Sequence, residues 1–452
     1  MTSFSGLTDA AAALNAERYA MQIAGQNIAN ADTVGYTRER ADLQATGPVA
    51  GTTRLYAVAN PNVTGTVTVA GTSRLNDAVL DSRARTEHSL SGYFDTKSSA
   101  ISDVETFFDE PSDNGLSEQL NEFWADWSAV STGAGTDSRA VLLTQAQGVA
   151  STLNGMSTDL STLAASLQQG LGISASQIQD AATAVGSLNS AIIVATASGA
   201  PAANLQDQRD VLLSKLAELG GAQAQLQADG SVTVTMGGQT LVSGVTVNTV
   251  GVDASGNNLT VGGTNVTLSG GVAQAQSELL NTTLPGYQGQ LDSVAMALAN
   301  LVNTQHEAGQ DLSGTAGGPF FAGTGAATLT VAITDPTKVA AAASTGTASL
   351  DGSNAEQIAK IGRMTNGPDA LYRTFVAQLG NDSAQAAQQS ATQTAITSNV
   401  DTLQSQASGV SYDDEVTNLL TFQRAYQASS RVLTTIDDML DTLINHTGRA
   451  GL

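Results

Sequence analysis

The chain has 452 residues, with 41 acidic against 18 basic side chains and a formal net charge of −23. This acidic excess argues against nucleic-acid binding and against docking on anionic lipid, because both need clustered lysine and arginine. Cysteine is absent, which excludes disulfides, thiolate metal sites and cysteine nucleophiles. A chain of this length is expected to divide into about two to four domains.

The first predicted element is an N-terminal helix with an apolar stripe of period seven. The stripe consists of Leu7, Leu14, Met21 and Ile28. A repeat of seven keeps one seam of a helix turned toward a partner helix. We expect the helix to end near Asn30, with Gly35 in the loop that follows. The first residues lack a basic segment followed by an apolar one, so no Sec-type signal peptide is expected, and an exported chain would leave by a route that needs no cleaved signal.

Long helices are also predicted in the interior. The clearest apolar pattern is Leu142, Ala146, Val149, Leu153, Met156, Leu160, Leu163 and Leu167. Shorter patterns occur at residues 205–219, 291–301 and 396–403. Short turns between long helices indicate an antiparallel bundle, elongated along the helix axes. No apolar run approaches the length of a membrane span, so no membrane insertion is predicted.

Two inserts interrupt the helical pattern. Between residues 222 and 272, valine and threonine alternate between glycine and asparagine turns, as in Ser231-Val-Thr-Val-Thr235, which is typical of hairpins. Residues 312–350 are glycine-rich around Thr328-Leu-Thr-Val-Ala-Ile333, which predicts a second small β element. A shorter strand-like stretch begins at Gly65.

The C-terminal helix has the strongest period-seven pattern. Its apolar positions are Leu419, Tyr426, Leu433 and Leu440, with Phe422, Ile436 and Leu443 three residues after members of that series. Ser411 followed by Asp414 predicts the N-cap, and the acidic residues in the first turn suit the positive end of the helix dipole. The helix is long enough for a coiled coil.

These elements predict a mainly α fold with β inserts and an elongated shape. The predicted order is nested: the two termini pair with each other, the helical bundle comes next, and the β inserts lie at its far end. Residues 1–35 and 411–452 are predicted to pair as a terminal coiled-coil domain. An antiparallel helical bundle is assigned to residues 36–221, 273–311 and 351–410. A small outer β-rich domain is assigned to residues 222–272, with residues 312–350 as its candidate neighbour.

Several segments resemble the axial proteins of the bacterial flagellum. Asn27-Ile-Ala-Asn-Ala-Asp-Thr-Val-Gly-Tyr36, followed by Thr37 and Arg38, resembles their N-terminal signature. The segment Phe422-Gln-Arg-Ala-Tyr-Gln-Ala428 resembles their closing helix. The interior segments Asp207-Gln-Arg-Asp210 and Gly317-Gly-Pro-Phe-Phe321 resemble the first hook-associated family, the FlgK type.

The resemblance implies a structural subunit at the junction between hook and filament. It implies four partners: further copies of the chain in a ring or helical oligomer, the hook protein, the second hook-filament junction protein, and an export chaperone on the C-terminal helix. It also implies an extracellular location in the flagellum, reached by the flagellar type III export route.

We predict an assembly interface on the terminal segments. Its predicted residues are Leu7, Leu14, Met21, Asn27, Ile28, Asn30, Gly35, Tyr36, Arg38, Leu419, Phe422, Tyr426, Leu433, Ile436, Leu440 and Leu443. No catalytic residue, cofactor or metal ligand is predicted. The three histidines, at positions 88, 306 and 446, form no HExxH arrangement, and His306 is expected to face a helix dipole or to cap a helix.

Two other functions stay open at this point. A hook or rod protein would share both terminal signatures, although the long interior helices argue against it. An exported adhesin or effector would use the helices only to display the β inserts. Such a protein would keep its binding activity after both ends were deleted.

Overall fold

The computed structural model describes residues 2–46, 66–133, 135–344 and 346–446. Its helices are α1 (Thr2–Ala29), α2 (Ala78–Phe108), α3 (Leu116–Thr132), α4 (Thr136–Ser198), α5 (Ala203–Gly220), α6 (Val272–Glu278), α7 (Leu284–Glu307), α8 (Ser353–Ala359), α9 (Pro368–Ser408) and α10 (Tyr412–Asp441). A π-helical turn, Leu279–Thr283, joins α6 to α7, and another, Thr442–His446, extends α10.

The strands are short and antiparallel. They are β1 (Glu39–Thr46), β2 (Thr66–Arg74), β3 (Gln223–Leu226), β4 (Val232–Met236), β5 (Gln239–Ser243), β6 (Thr246–Val247), β7 (Val250–Val252), β8 (Leu259–Val261), β9 (Thr264–Asn265), β10 (Gly309–Gln310), β11 (Phe321–Ala322), β12 (Thr330–Val331) and β13 (Ala342–Ala343). Sheets form in the orders β1-β2, β3-β4-β5-β6, β7-β8-β9, β10-β13 and β11-β12.

The two terminal helices lie side by side and antiparallel. Gly6, near the start of α1, faces the side chain of Ile436 near the end of α10. At the other end of the pair, Arg38, which follows α1, contacts Glu415 in the first turn of α10. The β1-β2 ribbon packs on a second side of α1, where the Tyr19 hydroxyl lies 2.5 Å from the Thr72 hydroxyl.

Helices α2 and α9 continue from this terminal pair as an antiparallel pair, with polar contacts at the end next to the termini and apolar contacts, such as Phe108 against Phe375, at the far end. The His88 ring lies 2.8 Å from the Asp401 carboxylate, and the Gln393 amide donates to the Glu87 carboxylate at 2.8 Å. The middle of α9 is rich in glutamine, serine and alanine. The apolar spacing that predicts a coiled coil at the termini is therefore absent here.

One hydrophobic core lies among α3, α7, α8, the first half of α4, the end of α2 and the first part of α9. Phe123, Trp127, Phe320 and Phe321 form its aromatic centre. Residues 312–350 were considered as a neighbour of the β-rich insert. The structure packs their apolar side chains into this helical core instead, because two adjacent phenylalanines and Leu329 are buried against α3 and α4.

A second core lies between the second half of α4, α5 and the strands β3–β9. In β4 the side chains of Val232, Val234 and Met236 point inward and the threonines between them are less buried, as the alternation predicted. Asn189 of α4 ties the sheet to the helix: its side-chain amide donates to the Val232 carbonyl, and its carbonyl accepts from the Val232 amide.

Helix α4 belongs to both cores and has 63 residues. Among the described helices it is the one long and apolar enough to cross a membrane, with an 18-residue stretch of mean hydropathy 1.4. Leu142 and Leu153 are buried in the first core and Ile178 and Val185 in the second. These positions match a long core helix in a globular protein.

The predicted mainly α fold with small β parts is confirmed. The domain boundaries stay predictions. One part of the bundle assignment needs correction, because residues 39–46 and 66–74 form the β1-β2 ribbon against α1 and are not bundle helices. The sequence of β1, Glu-Arg-Ala-Asp-Leu-Gln-Ala-Thr, is too polar to have indicated a strand.

Candidate functional site

The seam between α1 and α10 is only partly closed. The predicted apolar residues of α10 are half-buried, except Tyr426, which is 37% exposed. Glu415 is the one fully buried residue among those of α10 that the structure describes. The side chain of Leu443 lies outside the described residues. The closing helix therefore keeps much of its apolar surface available to other molecules.

On α1 the buried row is shifted from the predicted one. The fully buried positions are Ala10, Ala16, Ala20, Ile23, Ala24 and Asn27. The predicted stripe of Leu7, Leu14, Met21 and Ile28 lies beside that row and is half-buried. The shift arises because α1 contacts α10 on one side and the ribbon on another, so small side chains fill the tight space between them.

Asn27 closes the segment after α1 back onto the helix. Its side-chain carbonyl accepts hydrogen bonds from the Tyr36 hydroxyl at 2.8 Å and from the Glu39 amide at 3.0 Å. Its side-chain amide donates to the Glu39 carbonyl at 2.8 Å. Asn27 is 1% exposed, and a buried amide needs such partners to offset its desolvation. Asn27 and Tyr36 thus fix the turn in place.

Gly35 lets that turn approach α5. Its φ is +80°, a left-handed conformation that disfavours a side chain. A Cβ at this position would collide with the Val211 side chain. Asn30, also in the predicted interface, is half-buried and donates from its side chain to the Gln26 carbonyl. The glycine is therefore needed for both conformation and space.

Arg38 joins three segments that are distant in sequence. Its guanidinium contacts the Glu415 carboxylate at 2.7 Å, and Glu415 is 3% exposed. Its backbone amide donates to the Ser408 carbonyl at the end of α9, and its carbonyl accepts from the Leu75 amide after β2. A buried carboxylate is stabilised only while its cationic partner stays in place.

A second charged cluster fastens the same region to α5. The Arg74 guanidinium lies 2.6 Å from the Asp207 carboxylate and 2.8 Å from that of Asp210, and it donates to the Thr37 hydroxyl at 2.9 Å. The Thr37 amide donates to Asp207 at 3.3 Å. We call the contacts of Asn27, Gly35, Tyr36, Arg38 and this cluster the junction.

Burial shapes the electrostatics of the junction. Burial raises the pKa of the Asp207 carboxyl, and Arg74 opposes that rise. Burial and the nearby Asp207 carboxylate raise the pKa of Glu39. Burial by itself lowers the pKa of Arg74, and the carboxylates of Asp210 and Asp207 outweigh it and raise that pKa. The cluster is therefore an internal charge network that holds the arginine protonated.

The carboxylates of Glu415, Asp207 and Asp210 in this junction are paired with arginines. In the parts of the chain that the structure describes, no group of three or more histidine, aspartate or glutamate side chains could hold a metal ion. The geometry fits mechanical coupling between the terminal helices and the rest of the chain.

His306 differs from the expected capping role. It is fully buried at the end of α7. Its Nδ1 donates to the Gly318 carbonyl and its Nε2 accepts from the Ala340 amide, both at 2.7 Å. Because a carbonyl cannot donate and an amide N–H cannot accept, these bonds fix the neutral tautomer. Burial lowers the pKa of His306 to about 4.

Comparison with known proteins places these features in one family. The family model for the flagellar hook-associated protein FlgK helical domain matches residues 101–321. Flagellar hook-associated protein 1 of Bacillus subtilis (strain 168) is 29% identical over an alignment that covers all of both chains. Over its whole length the chain resembles the FlgK-type hook-associated proteins.

Other comparisons agree with the FlgK family. Flagellar hook-associated protein 1 of Escherichia coli (strain K12) is 24% identical and covers 97% of this chain and 99% of its own. The structure of the flagellar hook junction protein FlgK from Burkholderia pseudomallei has a TM-score of 0.64 at 16% identity. It covers 72% of this chain and 99% of that one, which shows a shared fold.

Two further family models match the two ends of the chain. The flagella basal body rod protein model matches residues 7–37, and the model for the C-terminal part of the flagellar basal body rod FlgEFG proteins matches residues 404–446. These ranges contain α1 with its turn, and the end of α9 with α10. The predicted interface residues stay predictions as assembly contacts.

Sequence reasoning missed three residues of the junction. Arg74 gave no signal, because the strand-like stretch that it ends had no predicted partner strand. Glu415 was interpreted only as a first-turn acid of α10, and Asp207 only as part of a family motif. An arginine three positions after Gly35 and the acids in the first turn of the closing helix could have suggested the Arg38–Glu415 pair, but the separation of 377 positions conceals it.

Proposed function

We propose that this chain is a structural subunit of the bacterial flagellum that forms the hook-filament junction through its N- and C-terminal helices. The observation that carries the proposal is the open seam of the terminal pair. Leu433, Ile436 and Leu440 are only half-buried, although coiled-coil positions of this kind bury themselves fully when their partners are present. Further helices from neighbouring subunits would complete that burial.

The proposal includes the partners on either side of the hook-filament junction. Copies of the chain would form a ring or helical oligomer, with the hook protein on one side and the second hook-filament junction protein on the other. An export chaperone would cover the half-exposed face of α10 before assembly. Shielding that face would limit aggregation of a chain that is exported by the flagellar type III route to the cell exterior.

The role is structural and not enzymatic. The buried polar groups at the junction connect segments of the chain, and His306 is held neutral by two backbone bonds inside a core. The Arg38–Glu415 pair and the Arg74 cluster would transmit load from the terminal helices to α9 and α5.

Deletion of residues 411–452 tests the proposal. The truncated chain should lose attachment of the filament to the hook, since α1 would have no partner. Its central helices should stay folded, measured as a cooperative thermal transition with circular dichroism. If cells with the truncated chain carried as many attached filaments as cells with the full chain, the proposal would be contradicted. Ligand binding that persists after loss of both ends would favour an adhesin.

A further inference from the structure

One carboxylate of the terminal pair has an oxygen without a hydrogen-bond partner among the residues that the structure describes. Glu17 lies on α1, and its Oε2 is buried without a hydrogen-bond donor in the described residues. The residue as a whole is half-buried, so rotation of the carboxylate can present that oxygen to a donor from outside. Burial also raises the pKa of Glu17. A buried acceptor without a donor destabilises the monomer that contains it.

Apolar side chains frame this carboxylate. Leu14 lies three positions before Glu17 and Met21 four positions after it, so all three share one face of α1. Leu14 and Met21 belong to the half-buried stripe beside the seam. The result is a surface with one acid between two partly exposed apolar residues, which we call the α1 face.

The outer face of α10 has the complementary character. Arg424 and Arg431 are seven residues apart and share one face, at least a third of a turn away from Ile436, whose side chain lies against Gly6 of α1. Both arginines are exposed, and neither has an ion-pair partner in the part of the chain that the structure describes. Leu420 and Val432 beside them are 47% and 52% exposed. We call this surface the α10 face.

The overall charge makes this match informative. At a net charge of −23, copies of the chain repel each other over most of their surface. The described parts of α1 and α10 contain three basic residues, Arg18, Arg424 and Arg431. The two on α10 are therefore scarce attractive elements, and Glu17 is a carboxylate that needs a donor.

We propose that neighbouring copies dock through these two faces, with Glu17 of one copy paired to Arg424 or Arg431 of the next. Leu14 and Met21 would then lie against the exposed apolar side chains of the α10 face. The two faces differ, so the contact is heterologous and repeats from copy to copy into a ring or helix. This inference rests on the proposed function at the hook-filament junction, and it specifies the contact between subunits through which the chain assembles there.

Charge reversal tests the contact in cells that lack the native chain. One variant is Glu17→Arg, and the other combines Arg424→Glu with Arg431→Glu. The readout is the amount of the chain in isolated flagella relative to the cell lysate. For each variant alone, the amount in isolated flagella should fall by about tenfold or more, because every interface would join like charges. Glu307→Arg and Arg363→Glu, exposed charges outside the terminal pair, should stay at the level of the unaltered chain.

Co-expression of the two variants is the decisive arm. The arginine introduced at position 17 of the first variant would meet the glutamates introduced on α10 of the second, and the native pairing would form at the alternate interface. Recovery to within about threefold of the unaltered chain is expected. Contacts within one chain cannot be restored in this way, and neither can a misfolded variant.

Two results would overturn the inference. One is that either variant alone is found in isolated flagella in the same amount as the unaltered chain. The other is that the co-expressed variants are retained no better than each variant alone. If Glu17→Arg fails to fold, the milder Glu17→Gln keeps the shape and should still lower retention by about threefold. Absence of the unaltered chain from isolated flagella would instead contradict the proposed function.

Discussion

Arg38 shows how one residue of the junction connects three parts of the chain. Its guanidinium reaches Glu415 of α10, its amide reaches the end of α9, and its carbonyl reaches the residue after β2. Glu415 is 3% exposed, whereas Arg38 is 26% exposed. Loss of the arginine would leave a buried carboxylate without a cation, and this is costlier than loss of an exposed pair.

We expect Arg38→Ala to lower the free energy of unfolding of the terminal pair by about 3 kcal/mol. The measurement is urea unfolding combined with hydrogen exchange in the first turns of α10. Arg40→Ala is the matched control, because its pair with Asp42 is exposed at both side chains and should contribute less than about 1 kcal/mol. Equal effects of the two substitutions would contradict the assigned role of Arg38.

Gly35→Ala should loosen the turn from α5. The new methyl group would meet the Val211 side chain, and the φ of +80° adds strain for any side chain. We expect a loss of about 2 kcal/mol in the free energy of unfolding. Adding Val211→Ala removes the steric part and should recover about half of the loss. The same loss in the single and double variants would show that sterics play no part.

His306 makes the first core sensitive to acid. Its pKa is lowered from 6.5 to about 4, so between these pH values the unfolded chain binds more protons than the folded chain. The free energy of unfolding should therefore fall by about 3 kcal/mol as pH drops through that window. The contribution is fully present above pH 6.5.

Urea unfolding at pH 7 and pH 4.5 measures this term. The variant His306→Gln should be less stable at pH 7 and should lose most of this pH dependence, while His88→Gln should keep it. An unchanged pH profile in His306→Gln would mean that other groups cause the acid sensitivity.

At the scale of elements, period-seven patterns predicted α1 and α10 but not the face that α1 buries. The leucines define a stripe, yet Ala16, Ala20 and Ala24 are the buried positions, because a second neighbour packs on the helix. That neighbour is the β1-β2 ribbon, whose first strand has no alternating apolar pattern. Sequence period alone cannot reveal an unpredicted neighbour.

Helix α4 was predicted only over residues 142–167, although it continues to Ser198. Its second half uses Ser174, Ala182, Gly186 and Asn189 as buried positions. These small and polar residues fit closely under a sheet, as Gly186 does beneath Val247. Leu171, Ile178, Val185 and Ile192 are also buried and recur every seven residues, so the sequence did contain an apolar pattern that continues the helix, and it was missed. The alternation in β4, by contrast, was sufficient to predict a strand.

Limited proteolysis tests the relative stability of these elements. The terminal seam is half-buried, whereas α4 and α5 have fully buried apolar rows. Trypsin should therefore cut the free chain at Arg18, Arg424 and Arg431 before it cuts at Arg209 or Lys215. Mass spectrometry of the early fragments identifies the order. Ends as resistant as residues 140–220 would mean that the terminal pair is complete in the single chain.

At the scale of the whole molecule, the chain has two hydrophobic cores and a terminal helix pair joined to them by polar contacts. Near the terminal pair, α2 and α9 are connected mainly by side-chain hydrogen bonds, such as Ser390 to Asp95, whereas Phe108 and Phe375 join them within the first core. The terminal pair is anchored by Arg38 and Arg74. We therefore expect load to pass through polar bonds in this region and through close-packed apolar contacts in the cores.

The continuity of α4 has a consequence for stiffness. At a rise of about 1.5 Å per residue, its 63 residues extend over about 95 Å. Both cores are built on this single helix. One core can therefore rotate relative to the other only if backbone hydrogen bonds of α4 break. Torque applied to one core should therefore be transmitted directly to the other core. The flexibility of the molecule should lie mainly in the polar part of the α2–α9 pair.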